Sequence, residues 1–441
     1  MGSIRLLQVV HGYPPAVGGV ERSTRDLCEG LVRDHAFDVT VVTTNAYTVT
    51  GFHDASQPTI PIVDGESQNG VRILRFPVET RWSGLLGQAQ RVAWGLRLPS
   101  NDRLRTWFNG PRSPGMLDAV RSLEADVVCA ASFPLNHMRY PFLRSEPRPP
   151  VVLVAAAHTN DAWGFDRPCL LGLTRKAYAT VAHTAQEREW LIAKGAPPER
   201  VRVIGHGIDP AALSPRRGEF RAAHGIDPSA YLVAYVGQQG RHKGIETLVK
   251  AFVSLVPRAP NAWLVVGGAR TPYTSDLEQL VAALPAEVRE RVRLVTDLGE
   301  QEKTDLLGDC DVFVSASAAE SFGITTLEAW ALRKPVVVGD APSQRSIVEE
   351  GRTGLLVPYG NADALVVALQ QLADEGLRRS FGEAGHARLL VRYRKADVEQ
   401  AYADLLREAA EAGVGRRVRS RHAQSIPTPD GADGTSTSST R

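Results

Sequence analysis

One rhythm constrains this chain more than any other feature: a short apolar run, a turn rich in Gly and Pro, then an amphipathic helix, repeated and later restarted. Residues 6–10 (Leu-Leu-Gln-Val-Val) are largely apolar and end in two β-branched residues, and residues 11–19 (His-Gly-Tyr-Pro-Pro-Ala-Val-Gly-Gly) break the chain. Val20, Thr24, Leu27, Cys28 and Leu31 then recur at helical spacing. Residues 37–43, 71–76, 126–130, 151–157 and 180–182 read as further strands. A second run begins with a strand over 231–236 and a helix over 244–256, and continues through strands at 263–266, 292–295, 311–315 and 335–338. Helices over 275–284, 301–307, 324–332 and 362–373 alternate with these strands. Such alternation builds parallel sheets covered by helices on both faces, and 441 residues are too many for one such core. The expectation is a doubly wound α/β chain in two similar halves, 1–205 and 206–395. A helix over 396–412, with the first half as its candidate docking face, and a disordered tail over 413–441 complete the chain.

Composition narrows the function classes. A net charge of +2 gives no basic surface for nucleic acid, so none is expected as a partner. The longest apolar runs, such as residues 151–157, fall far short of the roughly 20 residues a spanning helix needs. The first residues read as a buried strand rather than a leader peptide. Four cysteines (Cys28, Cys129, Cys169 and Cys310) stand far apart, which argues for a reducing cytoplasm and against a zinc site or disulfide framework. The tail is rich in Ser, Thr, Gly and Pro, and its Arg416–Arg421 cluster reads as a solvated segment rather than a lipid contact.

In open α/β sheets ligands bind at the carboxyl ends of strands, so the turns there carry the chemistry. Neither half has GxGxxG after its first strand, which disfavours a dinucleotide-dependent dehydrogenase. The segment Glu320-Ser-Phe-Gly-Ile-Thr-Thr-Leu-Glu328 follows a strand and opens a helix. The amides of Phe322, Gly323, Ile324 and Thr325 would project from a helix N-terminus, where unpaired N–H groups and the dipole suit a diphosphate. Glu320 stands at the mouth of that site beside Ser321. Glu328 lies about two turns on, placed to reach vicinal hydroxyls such as those of a ribose. Alone, the pair would read as a helix cap and a surface charge. A second strand–loop–helix start, residues 233–244, brings Gln238, Arg241 and Lys243. A lysine at a helix start is opposed by the dipole unless an anion is near.

Glu320–Glu328 resembles the E-x7-E motif of the retaining nucleotide-sugar glycosyltransferases of family 4. The likeness extends through Pro14-Pro-Ala-Val-Gly-Gly-Val-Glu21, Gly205-His-Gly-Ile-Asp209, residues 237–244 and Gly354-Leu-Leu-Val-Pro358, spanning residues 3–400. The resemblance implies a GT-B fold, two Rossmann-like domains facing across a cleft, with the donor held mainly by the second. It implies that Glu320 contacts the transferred sugar, that residues 321–325 take the diphosphate and sugar, and that Glu328 takes the ribose. Lys243 would hold the phosphates, and Gly19 would let the first domain close on donor and acceptor. His158, at the end of the strand over 151–157, would lie beside the reacting sugar. The family usually has arginine where this chain has Gln238; Arg241 or His242 would then compensate. The implied reaction moves a hexose-type sugar from a nucleoside diphosphate to an acceptor hydroxyl with retention, the departing phosphate taking the proton. Neither cofactor nor metal is implied, and Asp309-Cys-Asp311, although it spells DxD, reads as structural.

Two other readings stay open on this architecture, a nucleotide-sugar 2-epimerase and a non-catalytic nucleotide-sugar-binding protein. The stretch 81–112 holds six arginines, one acid (Asp102), and Trp82, Trp94 and Trp107 among leucines. It reads first as helices that bury Trp and Leu and turn Arg outward, and second as a surface for a membrane or a lipid-linked acceptor. The second reading would place the protein on the inner membrane face. Base, sugar and acceptor are not named by these residues.

Overall fold

The structure, a computed structural model, describes residues 3–16, 18–146 and 148–424. Among them the strands form two sheets. The first contains β1 (Ile4–Val9), β2 (Phe37–Thr44), β3 (Ser67–Gln68), β4 (Val71–Phe76), β5 (Val127–Ala131), β6 (Val151–Val154), β7 (Ala179–Ala182) and β8 (Val201–Val203). Its order is β3-β4-β2-β1-β5-β6-β7-β8, parallel except for the β3–β4 pair. The second contains β9 (Tyr231–Val236), β10 (Ala262–Gly268), β11 (Val292–Thr296), β12 (Val312–Ser315), β13 (Val336–Gly339) and β14 (Leu355–Val357), all parallel, in the order β11-β10-β9-β12-β13-β14.

Parallel strands must be covered on both faces, and the apolar runs supply both. In β9, Tyr231, Val233 and Tyr235 enter one core while Leu232, Ala234 and Val236 enter the other. In β1, Leu6 and Leu7 divide in the same way. The helices that matter for the site are α1 (Gly19–His35), α2 (Ser83–Gly95), α3 (Asn101–Asn109), α4 (Ile245–Leu255), α5 (Glu300–Asp309), α6 (Ile324–Ala331), α7 (Pro342–Ile347) and α8 (Lys395–Gln424).

The chain crosses between the sheets twice, side by side. The Ile208 amide donates to the Tyr393 carbonyl (2.9 Å) and the Lys395 amide to the Ile208 carbonyl (3.1 Å). A Cβ on Gly207 would lie 2.6 Å from Lys395 Cα, so only glycine allows the two backbones to approach this closely. Helix α8 then returns to the first domain. Tyr402, Leu405, Leu406, Ala409 and Ala410, at helical spacing, complete one core of the first sheet.

Three expectations change. The strand over 151–157 ends at Val154, because Ala156 takes a left-handed turn at φ 53°. The helix expected to stop at 412 continues to Gln424, since no proline lies between Lys395 and Pro427 and arginine is a good helix former. Residues 425–441, and the side chains of the Arg416–Arg421 cluster, lie outside the described ones. The third change concerns residues 81–112, where the anticipated orientation holds for Leu86 and for Arg81, Arg91, Arg97 and Arg103 but fails for the rest. Trp82, Trp94 and Trp107 are exposed, as are Leu85, Leu96 and Leu98, whereas Arg105 and Arg112 are buried. Irregular loops leave carbonyls that need donors, and guanidinium groups supply several at once. Arg112 donates to the carbonyls of Phe52, Glu79, Trp107 and Phe108 and to Ser83 Oγ; Arg105 donates to Asn101 Oδ1 and to the carbonyls of Trp163 and Asp166.

Candidate active site

The loop leaving β9 and the loop leaving β12 are joined where the Ala318 amide donates to the His242 carbonyl (3.0 Å). That junction sets Lys243 Nζ 2.7 Å from Glu320 Oε2, with both side chains largely buried. Burial alone would push the Glu320 carboxyl up, but the charge and hydrogen bond of Lys243 overcome it, with His158 and Ser317 assisting, and hold it below the usual carboxylate range. His158 arrives from the first domain, its ring stacked on Phe165 (centroids 5.0 Å apart). Burial lowers its pKa, Glu320 opposes and Lys243 assists, so the imidazole is neutral near pH 7. Nearby, Asn160 Nδ2 donates to the Ala318 carbonyl (2.8 Å) and ties the two domains together. Glu320, Lys243 and His158 therefore converge.

The turn from Glu320 into α6 is braced from α7. Ser343 Oγ donates to the Glu320 carbonyl (2.6 Å) and Gln344 Nε2 to the Phe322 carbonyl (2.7 Å). Gly323 sits at φ 94°, and a Cβ there would lie 2.6 Å from Gln344 Nε2, so both conformation and space require glycine. Among the described residues no acceptor takes the amides of Phe322, Gly323, Ile324 or Thr325. The Phe322 side chain turns away into the core and meets His206 edge-on at 5.0 Å, so its contribution is backbone. Ser321 lies between Glu320 and Phe322 at the mouth. Gly19, the first residue of α1, faces α6: a Cβ on it would lie 4.0 Å from Ile324 Cδ1. Two helix N-termini thus meet across the cleft.

Glu328 is buried and held by Arg22 Nη2 (2.8 Å) from α1 and Lys303 Nζ (3.0 Å) from α5. Glu300 pairs with the same two cations, at 3.2 and 3.0 Å. Gln238 is exposed, and its carbonyl accepts from Tyr235 Oη (2.8 Å). Arg241 is not drawn into the group. It pairs with Asp276 (2.7 Å) and lies over the Tyr273 ring, so it does not make up for Gln238 in this structure. The Asp309 carboxylate accepts from the amides of Gly218 and Arg221, and Asp311 binds Arg221 Nη2 and the Leu232 amide. Both carboxylates serve to hold the short helix Glu219–Ala223 against the second domain.

Comparison with known proteins accounts for most of the chain. The model of Glycosyltransferase Family 4 matches residues 17–212, and that of Glycosyl transferases group 1 matches residues 216–388. Both halves of the chain thus match glycosyltransferase family models. It is 29% identical over 206 residues to an alpha-D-kanosaminyltransferase of Streptomyces kanamyceticus (46% of this chain, 52% of that protein). It is 32% identical over 227 residues to a D-inositol 3-phosphate glycosyltransferase of Corynebacterium aurimucosum (49% and 54%). The chain thus spans about half the length of these curated relatives. Among solved structures, sucrose-phosphate synthase from Thermosynechococcus elongatus is similar with a TM-score of 0.71 at 20% identity, covering 93% of this chain and 100% of that one. Anabaena HepE in complex with UDP and glucose is similar with a TM-score of 0.65 at 18% identity, covering 92% and 100%. The fold is GT-B.

Four residues of this glycosyltransferase's cleft were not singled out from sequence: Arg22, Lys303, Ser343 and Gln344. Arg22 had a usable signal, because it lies in the first turn of α1, where the dipole disfavours a cation just as it does at Lys243. Ser343 and Gln344 had none, since their role depends on where α7 lands.

Proposed function

We propose that this glycosyltransferase moves a hexose-type sugar from a nucleoside diphosphate to an acceptor hydroxyl with retention of anomeric configuration. The observation that carries this reading is the Lys243–Glu320 pair set beneath four unaccepted amides at the start of α6. The UDP and glucose bound by the Anabaena neighbour support a nucleotide-sugar donor. On binding, the diphosphate takes the amides of residues 322–325 and draws Lys243 from Glu320, which turns to the hydroxyls of the sugar. Glu320 starts as an ion-paired carboxylate held below its usual range, a poor nucleophile, so attack falls to the acceptor hydroxyl. The acceptor attacks on the face the diphosphate leaves, and its proton passes to the departing phosphate. Neutral His158 lines the sugar side, and Lys243 with the helix dipole stabilises the charge that develops on the leaving group. Glu328 would meet the ribose, exchanging Arg22 for its hydroxyls. Transfer then needs no resident metal or cofactor. The four free thiols support a reducing cytoplasmic setting.

The test is donor hydrolysis and transfer with UDP-, GDP- and dTDP-sugars in the presence of EDTA, with the anomer analysed. One of these donors is expected to turn over in EDTA to an α-linked product from an α-linked donor. Strict manganese dependence, an inverted product, or epimerised donor without acceptor would each refute the reading.

A further inference from the structure

The outward tryptophans and leucines of residues 81–112 leave a surface that the sugar chemistry does not use. Leu85 and Val92, at i and i+7 on one exposed side of α2, and Leu96, which caps its end, are between 58 and 67% exposed. Trp82 and Trp107 extend this surface. They line a shared cavity of about 280 Å3 with Arg81, Arg139 and Leu143, and the exposed Glu79 stands at the same cavity. Arg81, Arg91, Arg97 and Arg103 are exposed among these apolar groups. Between residues 80 and 113 the one acid, Asp102, is buried and accepts from the Cys169 amide (2.6 Å). Large apolar side chains interleaved with four exposed arginines, against one exposed acid at the edge, Glu79, fit an interface of hydrocarbon under anionic headgroups.

We propose that the α2–α3 hairpin is a membrane-docking face that seats the protein on a bilayer containing anionic lipid. The apolar side chains enter the acyl boundary, and the arginines, with the cavity between Arg81 and Arg139, take headgroup phosphates. A second copy of the chain fits less well, because a two-fold pairing would set these arginines against themselves. The face also connects with the cleft. Asp102 and Arg105 fasten the hairpin to residues 163–169, and within that segment Phe165 stacks on His158. An acceptor held in the bilayer would therefore reach the site from the hairpin side.

Among the described residues no helix is long and apolar enough to cross a membrane, so the contact is peripheral. The full chain is floated with phosphatidylcholine vesicles and with vesicles of phosphatidylcholine and phosphatidylglycerol. It is expected to float with the mixed vesicles only, with tryptophan emission shifted to the blue. The exposed-site variant Leu85→Ser/Val92→Ser/Leu96→Ser is expected to lose at least ~tenfold in binding. Arg91→Glu/Arg97→Glu is expected to abolish the preference for phosphatidylglycerol, and hydrolysis of a soluble donor should persist in both variants. No flotation with mixed vesicles, or equal flotation of the serine variant, overturns the proposal. So does a dimer by sedimentation that the serine variant disperses, since the face would then belong to a second copy.

Discussion

The chemistry assigned to Glu320 depends on a single ion pair whose two partners come from loops far apart in sequence. Removing either member leaves the other in a largely buried place with no counter-charge. Lys243→Ala and Glu320→Ala should each lower kcat by at least ~100-fold, the scale of losing one electrostatic stabiliser. Circular dichroism should remain native, and near-normal turnover in either variant would withdraw its role. A second residue-scale effect concerns pH. His183 is fully buried and pushed down to about 4 by burial, and its ring lies 4.2 Å from that of His206, which is lowered well below its ordinary value. A histidine with a lowered folded pKa binds its proton more readily in the unfolded chain, so stability is complete above about 6.5 and declines as pH falls toward 4. Each such group costs at most ~1.4 kcal/mol per pH unit over that window. Urea midpoints should fall between pH 7 and pH 5, and His183→Gln should flatten the decline. An unchanged slope would mean that His183 is protonated in the fold as well.

Helix α8 illustrates what a distant element does for a core it does not begin in. Leu406 is fully buried in the first domain although it lies beyond the second. Leu406→Ala should destabilise that domain by about 2–5 kcal/mol through lost burial and a cavity. Chemical denaturation followed by a probe in the first domain would measure this, and a loss confined to the second domain would contradict the packing. The strands, by contrast, were readable because fully buried parallel strands are written as uninterrupted apolar runs. The turn at Glu320–Thr325 was readable for a similar reason, since a strand, a glycine and a helix start fall in one short segment. The hairpin α2–α3 was misread because alternating Arg and Trp fits either face outward. The carbonyls that take Arg105 and Arg112 help decide which way it turns, and besides Trp107 and Phe108 those lie on residues 52, 79, 163 and 166. The pairing of Arg241 with Asp276 was illegible on the same ground, because Asp276 sits on a neighbouring helix.

At the scale of the molecule the two domains meet through the double crossing on one side and through charges across the cleft. Arg22 is the cation from the first domain that reaches Glu328 and Glu300 in the second. Losing it removes the hydrogen bond to buried Glu328, worth about 1.5–3 kcal/mol, and the more weakly held ion pair with exposed Glu300, enough to shift a balance between closed and open forms. Arg22→Ala should raise the radius of gyration in small-angle scattering without donor, and an unchanged radius would assign closure to other contacts. The route of α8 has one more consequence, for biosynthesis. A ribosome delivers the first sheet early but the side chains of Tyr402, Leu406 and Ala409 only after the second domain, so the half of the protein made first must wait with one flank bare until the other half has emerged. Truncation anywhere before Lys395 would strand it in that condition, and a nascent chain stalled there is where chaperones should be found.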